Sequence, residues 1–230
     1  MKNSKILVIA AHPDDEVLGC GGTMAKLSTE GNQVFTLILG EGITARDENR
    51  DRTKRENEIK ELKDQTDIAN KILGVNKYYS FEFPDNRFDT VPLIDIVKAV
   101  EKVKKELRPD VVYTHHHGDL NVDHRVTLMA VMTAFRPLKG ETVREIYSFE
   151  VPSSTEWSIP KPDACFSPNC FVDISRTLEI KKKAMKEYKT EVREFPHPRS
   201  LKAIEIAAGM RGIQAGTELA EAFEVVRLIK

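Results

Sequence analysis

Ile6-Leu-Val-Ile-Ala-Ala-His12-Pro13-Asp14-Asp15-Glu16 runs directly into Val17-Leu18-Gly19-Cys20-Gly21-Gly22-Thr23. Ile6 to Ala11 is a continuous apolar run, which predicts a strand buried on both faces, as in a parallel sheet. Pro13 cannot donate to a ladder and ends the strand. Asp14 and Asp15 stand where a helix N-cap belongs, and Val17 to Leu27 can form the helix. One imidazole and two or three carboxylates therefore crowd the carboxyl end of the first strand, the edge at which open α/β sheets bind ligands. A cap needs only one Asp. This many like charges repel unless a cation or a proton lies between them.

Outward from this stretch, strands and helices alternate. Gln33 to Leu39 is a strand candidate ending at Gly40-Glu41-Gly42, on the same sheet edge as His12. The polar segment from Thr44 to Thr53 reads as a surface loop. Arg55 to Leu73 carries a helical apolar stripe closed by Gly74. Lys77 to Phe83 is a strand, and the helix opened by Pro92 presents Leu93, Ile96, Val97, Val100, Val103 and Leu107 on one face. Val111 to Thr114 is a short buried strand followed by His115-His116-His117-Gly118-Asp119-Leu120-Asn121-Val122-Asp123-His124, and a helix is predicted over about 123–135. Further on, the pattern predicts strands at Ile146–Val151 and Cys170–Ile174 and a helix over Arg176–Val192. A helix capped by Ser200 should run through Ala208, and 219–229 can be strand in its later half. The expected fold is α/β: a Rossmann-like, doubly wound, mostly parallel sheet with helices on both faces. No repeat or linker divides residues 1–230, so one domain is expected.

With 230 residues, 35 basic and 36 acidic, the net charge is -1. No global field points to nucleic acid or to a membrane surface. No apolar run is long enough to span a bilayer and no leader segment is read at the N-terminus, so a cytoplasmic protein is expected. Cys20, Cys165 and Cys170 lack zinc-knuckle spacing and read as reduced thiols. Exposed apolar residues of the final third could form an interface between copies of the chain.

His12, Asp15 and His124 form a plausible two-histidine, one-carboxylate metal set that leaves a position open for water. Zinc, iron(II) or another divalent ion would suit it. Asp14, next in sequence to a ligand, suits a general base acting on a water. These parts add up to metal-assisted hydrolysis of an amide. A metal phosphoesterase, or a non-catalytic sugar- or nucleotide-binding module, are the competing readings. His115, His116 and His117 alternate along a strand end and cannot all face one ion. Asp123 could cap a helix or orient a ligand. Gly19, Gly21 and Gly22 fit close helix packing better than a dinucleotide loop. Trp157 could be a sugar-stacking platform or a lid anchor.

Ala-His12-Pro-Asp14-Asp15-Glu16 with the later Asp123-His124 resembles the LmbE-like, or PIG-L-like, family of metal-dependent de-N-acetylases, which act on N-acetylglucosamine-type sugars. Softer matches are Gly21-Gly22, Arg55 with Glu58, and Ala220-Glu221-Ala222-Phe223. The resemblance implies a Rossmann-like fold, metal ligands at His12, Asp15 and His124, a general base at Asp14, and an N-acetylated sugar as substrate. Several family members have a second His three residues before the last ligand. This chain has Asn121 there, which can donate a hydrogen bond but cannot supply a proton near neutral pH. His197, between two prolines, is the expected replacement. Arg55, and less so Arg87, could hold sugar hydroxyls or a phosphate, and Asp85 a sugar hydroxyl.

Overall fold

A computed structural model describes residues 3–230. In chain order the elements are β1 (Lys5–Ala10), α1 (Asp15–Thr29), β2 (Gln33–Gly40), α2 (Glu56–Ile72), β3 (Lys77–Phe83), α3 (Leu93–Leu107), β4 (Val111–His115), α4 (Val122–Ala134), β5 (Glu145–Phe149), β6 (Cys170–Asp173), α5 (Leu178–Glu187), α6 (Leu201–Ala215) and β7 (Ala220–Leu228). The sheet order is β3-β2-β1-β4-β5-β7-β6. Strands β1 to β5 are parallel, and β7 runs antiparallel to both β5 and β6.

Strand β1 is central because Ile6 to Ala10 are completely buried and can be covered on both faces. Leu7 and Ile9 join α3 and α4 in one core, whereas Ile6 and Val8 join α1, α2, α5 and α6 in the other. The chain reverses its winding between β1 and β4, so the two strands diverge into a crevice beyond their carboxyl ends. His12 follows one of these strands and His115 ends the other.

Three boundaries differ from the sequence reading. Helix α6 continues to Ala215, well past Ala208, and α5 is shorter than 176–192. The last strand fills nearly all of 219–229 because its first half pairs with β6 and its later half with β5. Ser200 caps α6 as expected, its hydroxyl accepting from the amide of Ala203.

Helix α1 breaks at Cys20, where φ is -149° and ψ 24°. The break strands polar backbone groups in the interior. A buried ion pair recruits them. Glu221 on β7 accepts the amides of Gly22 at 2.9 Å and Thr23 at 2.7 Å. Lys181 on α5 donates to Glu221 at 2.6 Å and to the carbonyl of Leu18 at 2.8 Å. Glu221 is thus a structural anchor.

The packing role expected for the glycines holds at Gly19, where a Cβ would lie 2.3 Å from the ring of Phe149. Gly19→Ala should cost about 1–3 kcal/mol of stability through overpacking, read as a lower melting temperature. An unchanged melt would show that Phe149 moves aside freely.

Candidate active site

Pro13 closes β1, and the chain turns at Asp14 in a left-handed conformation, φ 100°. This turn swings the Asp14 side chain away from the helix terminus, and it makes no capping bond. The Asp14 amide is taken instead by Glu16 at 3.1 Å. Glu16 is fully buried, receives Tyr188 Oη, and is pushed up to about 7 by that burial.

One carboxylate oxygen, Asp15 Oδ2, is the centre of the cluster. It accepts the His12 amide at 2.9 Å and lies 3.5 Å from His12 Nδ1 and 3.2 Å from His124 Nε2. The ligand atoms of His12, Asp15 and His124 all lie within 4.8 Å of one another, and all three residues are buried. Ligands of one ion at zinc-like bond lengths of about 2.0–2.1 Å stand roughly 3.4 Å apart in a tetrahedron, so these separations fit a single small divalent ion. The outward nitrogens are oriented by further carboxylates. His12 Nε2 meets Asp123 Oδ2 at 2.8 Å, and His124 Nδ1 is 3.1 Å from Asp119 Oδ1. Carboxylates behind imidazoles set their tautomer and raise their basicity as ligands.

Electrostatics tell the same story. Burial disfavours charge on His124, but Asp15 and Asp119 outweigh it and raise its pKa to about 9. His12 is likewise held above the ordinary histidine value against its own desolvation, by Asp123, Asp15 and Asp85. Asp15 is held well below the usual carboxylate range against its burial, with His124 the leading cause. Without an ion, the imidazoles hold protons where the ion would sit.

Asp123 does not cap α4; Asn121 does, its side chain accepting the Asp123 amide at 2.8 Å. Asp123 is left to accept from Phe88 N at 2.9 Å and to orient His12. Asp123→Asn keeps one carbonyl oxygen and can serve only one of the two, so zinc affinity should fall by about 10–100-fold. Competition titration against a chromophoric chelator measures it, and an unchanged affinity would refute the orienting role.

The cleft over this cluster encloses about 290 Å³. His12, Asp14, Asp15, Asp85, Asn121, His124, Ser153, Ser154, Glu191 and Arg199 are among its walls. Asp14 is turned into it, 4% exposed. Burial, then Asp15, pushes the Asp14 carboxyl well up, against the pull of Arg199. Asp85 accepts from Ala45 N at 3.0 Å and stands 3.3 Å from His12 Nε2. Asn121 Nδ2 donates to Asn86 Oδ1 at 3.0 Å.

Three expected residues, His197, Trp157 and Arg55, are not brought to the site. His197 does not line the cleft: its Nδ1 accepts the Arg199 amide at 3.1 Å, and its ring meets Trp157 edge-on. The same turn sends Arg199 inward, where Nη1 lies 3.3 Å from Asp14 Oδ2 and 2.8 Å from Glu191 Oε2. Trp157 is half exposed and lies off the cleft. Arg55 is fully engaged elsewhere. Its guanidinium is shared between Asp47, at 2.7 and 2.9 Å, and Glu58, at 2.7 and 2.8 Å, which pins the polar loop to the start of α2.

His115 lies beneath the cluster rather than in it. It stacks on His124 with centroids 4.0 Å apart, and its Nε2 accepts the Ala11 amide at 2.8 Å. Burial, then the neighbouring His124, depresses its pKa well below the ordinary value, so it is a neutral packing group. Arg199, Glu191 and Asp119 belong to the site and were not picked out from the sequence. Asp119 alone had a local signal, five residues before a candidate ligand and within the same segment.

Residues 7–135 match the family described as PIG-L, GlcNAc-PI de-N-acetylase. The chain is 30% identical over 195 residues to YaiS, an uncharacterized deacetylase of Escherichia coli K12, over 82% of this chain and 92% of that protein. It is 26% identical over 195 residues to the diacetylchitobiose deacetylase of Thermococcus kodakarensis, over 83% of this chain and 71% of that protein. The structure of N,N'-diacetylchitobiose deacetylase from Pyrococcus horikoshii superposes with a TM-score of 0.77 at 22% identity, covering 97% of this chain and 84% of that one. With its fold, its sheet-edge cluster and more than half its length matched, the chain belongs to the PIG-L family of de-N-acetylases.

Proposed function

We propose that this chain hydrolyses the acetamide of an N-acetylated amino sugar or its conjugate, releasing acetate, with His12, Asp15 and His124 holding a zinc-like or iron(II) ion. The observation that carries the reading is Asp14. Its carboxylate faces the cleft beside the three ligand residues without belonging to their set. A sugar-binding module has no use for a buried, proton-seeking carboxylate at that point. The ion, when bound, polarises the amide carbonyl and acidifies a water toward about pH 7.

The chain supplies the rest. Asp14 accepts the proton of the attacking water at its carboxylate, and then returns it to the nitrogen that leaves as an amine. Its raised proton affinity suits both transfers. Arg199 holds that carboxylate in place from one side, and is itself held by Glu191 and by Ser153 at 2.9 Å. Asn121 has one amide hydrogen beyond the one given to Asn86, and offers it to the cleft as a donor for negative charge developing on the carbonyl oxygen. Asp85 presents acceptor oxygens to sugar hydroxyls. Relatives named as deacetylases of diacetylchitobiose support the sugar as substrate class.

Chelator-stripped protein should release no acetate from a panel of N-acetylated amino sugars, free, glycosidic and nucleotide-linked. Added zinc or iron(II) should restore release for one substrate class. Metal-saturated protein that liberates phosphate from phosphoesters, and acetate from none of the panel, would replace this reading with the phosphoesterase.

A further inference from the structure

The geometry points to a second divalent-cation site, separate from the first, formed by His116 and His117 after β4 and Glu224 on β7. One ligand atom from each of these residues lies within 4.8 Å of the other two. The proposed hydrolysis makes no use of any of them.

The argument rests on which nitrogens are already committed. His116 Nε2 faces the carbonyl of Ala164 at 3.0 Å, and His117 Nε2 faces the carbonyl of Asp163 at 2.6 Å. A carbonyl only accepts, so each Nε2 carries a hydrogen. In the neutral ring, Nδ1 is then a lone-pair donor. Two consecutive backbone carbonyls thus lock two consecutive histidines in the same tautomer. This is the arrangement by which proteins prepare imidazoles for metal, one nitrogen donating outward and the other left as a ligand.

His116 Nδ1 lies 2.9 Å from Glu224 Oε2. A lone pair facing a carboxylate is unfavourable unless a positive charge lies between them. A proton can supply that charge for His116 alone, whereas a divalent cation also engages His117, whose ligand atom lies within 4.8 Å of the other two. Two imidazoles and a carboxylate suit a borderline ion of the zinc class rather than calcium or magnesium. The site is rigid where it needs to be: His116 is fully buried against the Phe166 ring, and Glu224 Oε1 is fixed by the Ser167 amide at 2.7 Å. It is also open to solvent through His117, which is exposed.

The ion would tie His116 and His117, after β4, to Glu224 on β7, and the carbonyls of Asp163 and Ala164 that hold the two rings belong to the loop joining β5 to β6. The same loop begins at Pro152, Ser153 and Ser154 in the wall of the catalytic cleft, so the second site acts on the cleft through the order of that loop.

Zinc content after saturation and gel filtration tests this, with Zn²⁺ itself as the probe. Wild type should carry about one equivalent more per chain than His117→Ala or Glu224→Gln. His12→Ala should keep that extra equivalent and lose the other, so failure of this site and failure of the catalytic one are told apart. Cobalt substitution should show the same subtraction in the visible spectrum. His117 is exposed, so His117→Ala leaves the core untouched. Equal metal content in wild type, His117→Ala and Glu224→Gln would overturn the proposal and leave His116 as a proton-bridged latch.

Discussion

Asp14→Asn should lower kcat by about 10²–10⁴, the usual contribution of a positioned general base, with bound metal unchanged. Asn cannot accept the proton, yet it has the shape of Asp and tolerates positive φ better than other substitutes. That matters at a residue held at φ 100°, where Asp14→Ala would mix backbone strain into the result. Arg199 keeps Glu191 and Ser153 when the Asp14 charge is removed, so the cleft wall should stay ordered. Metal content, melting temperature and steady-state rates on the same preparation make the measurement. A metal-saturated Asp14→Asn within a few-fold of wild type would remove Asp14 from the chemistry.

Metal-stripped protein should lose stability as pH rises from 6.5 to 9, whereas metal-loaded protein should not. His124 titrates at about 9 in the fold and near 6.5 in an unfolded chain. Its proton therefore binds the folded state more tightly. The stability it contributes is fully present below pH 6.5 and is lost as pH climbs through 9. A difference of this size corresponds to about 3 kcal/mol. His12, also raised, acts with the same sign. Glu16, raised from 4.5 to about 7, loses its contribution earlier, between those values, and Asp14, also raised, acts with the same sign, so the imidazole share is read as the difference between the stripped and loaded profiles. A bound ion displaces these protons, and the slope should vanish with it. Urea unfolding of stripped and loaded protein across this range reads the difference. Parallel stability profiles for the two forms would mean that His124 is not an ion ligand.

The turn at the candidate site was legible because its parts are adjacent. His12, Asp14 and Asp15 lie within one turn of chain, and the apolar, β-branched run before them, stopped by Pro13, reads as a buried strand. His124 was reachable through family resemblance and its place after another strand. Arg199 was not: it meets Asp14 across 185 positions, and no local pattern marks which arginine of a loop turns inward. Arg55 looked the better candidate, but a loop carboxylate and its own helix hold it. The triple histidine reads as alternating and unable to share one ion, and the rings do part: His115 is buried under His124, and His116 and His117 face a different loop. Helix α6 outran its expected end because Gly209 and Gly212 look like stops; Gly212 is there because the carbonyl of Glu218 would sit 2.5 Å from any Cβ. The first half of β7 hid its nature for a related reason. Ala220 to Phe223 are all buried, so polarity does not alternate, and Glu221 looks like a surface residue until Lys181 is seen beside it.

The insertion of β7 between β5 and β6 has a consequence for the order in which the molecule can assemble. Strand β6 touches the sheet only through a partner that comes about fifty residues later in the chain. Contacts of such long sequence separation form late and slow the search. The same late strand delivers Glu221 to the broken backbone of α1, directly downstream of Asp14 and Asp15. The first helix therefore acquires its final shape only when the last strand docks. The carboxylates it carries come into register at the close of folding, and the intermediates that precede this step should be poor at capturing metal.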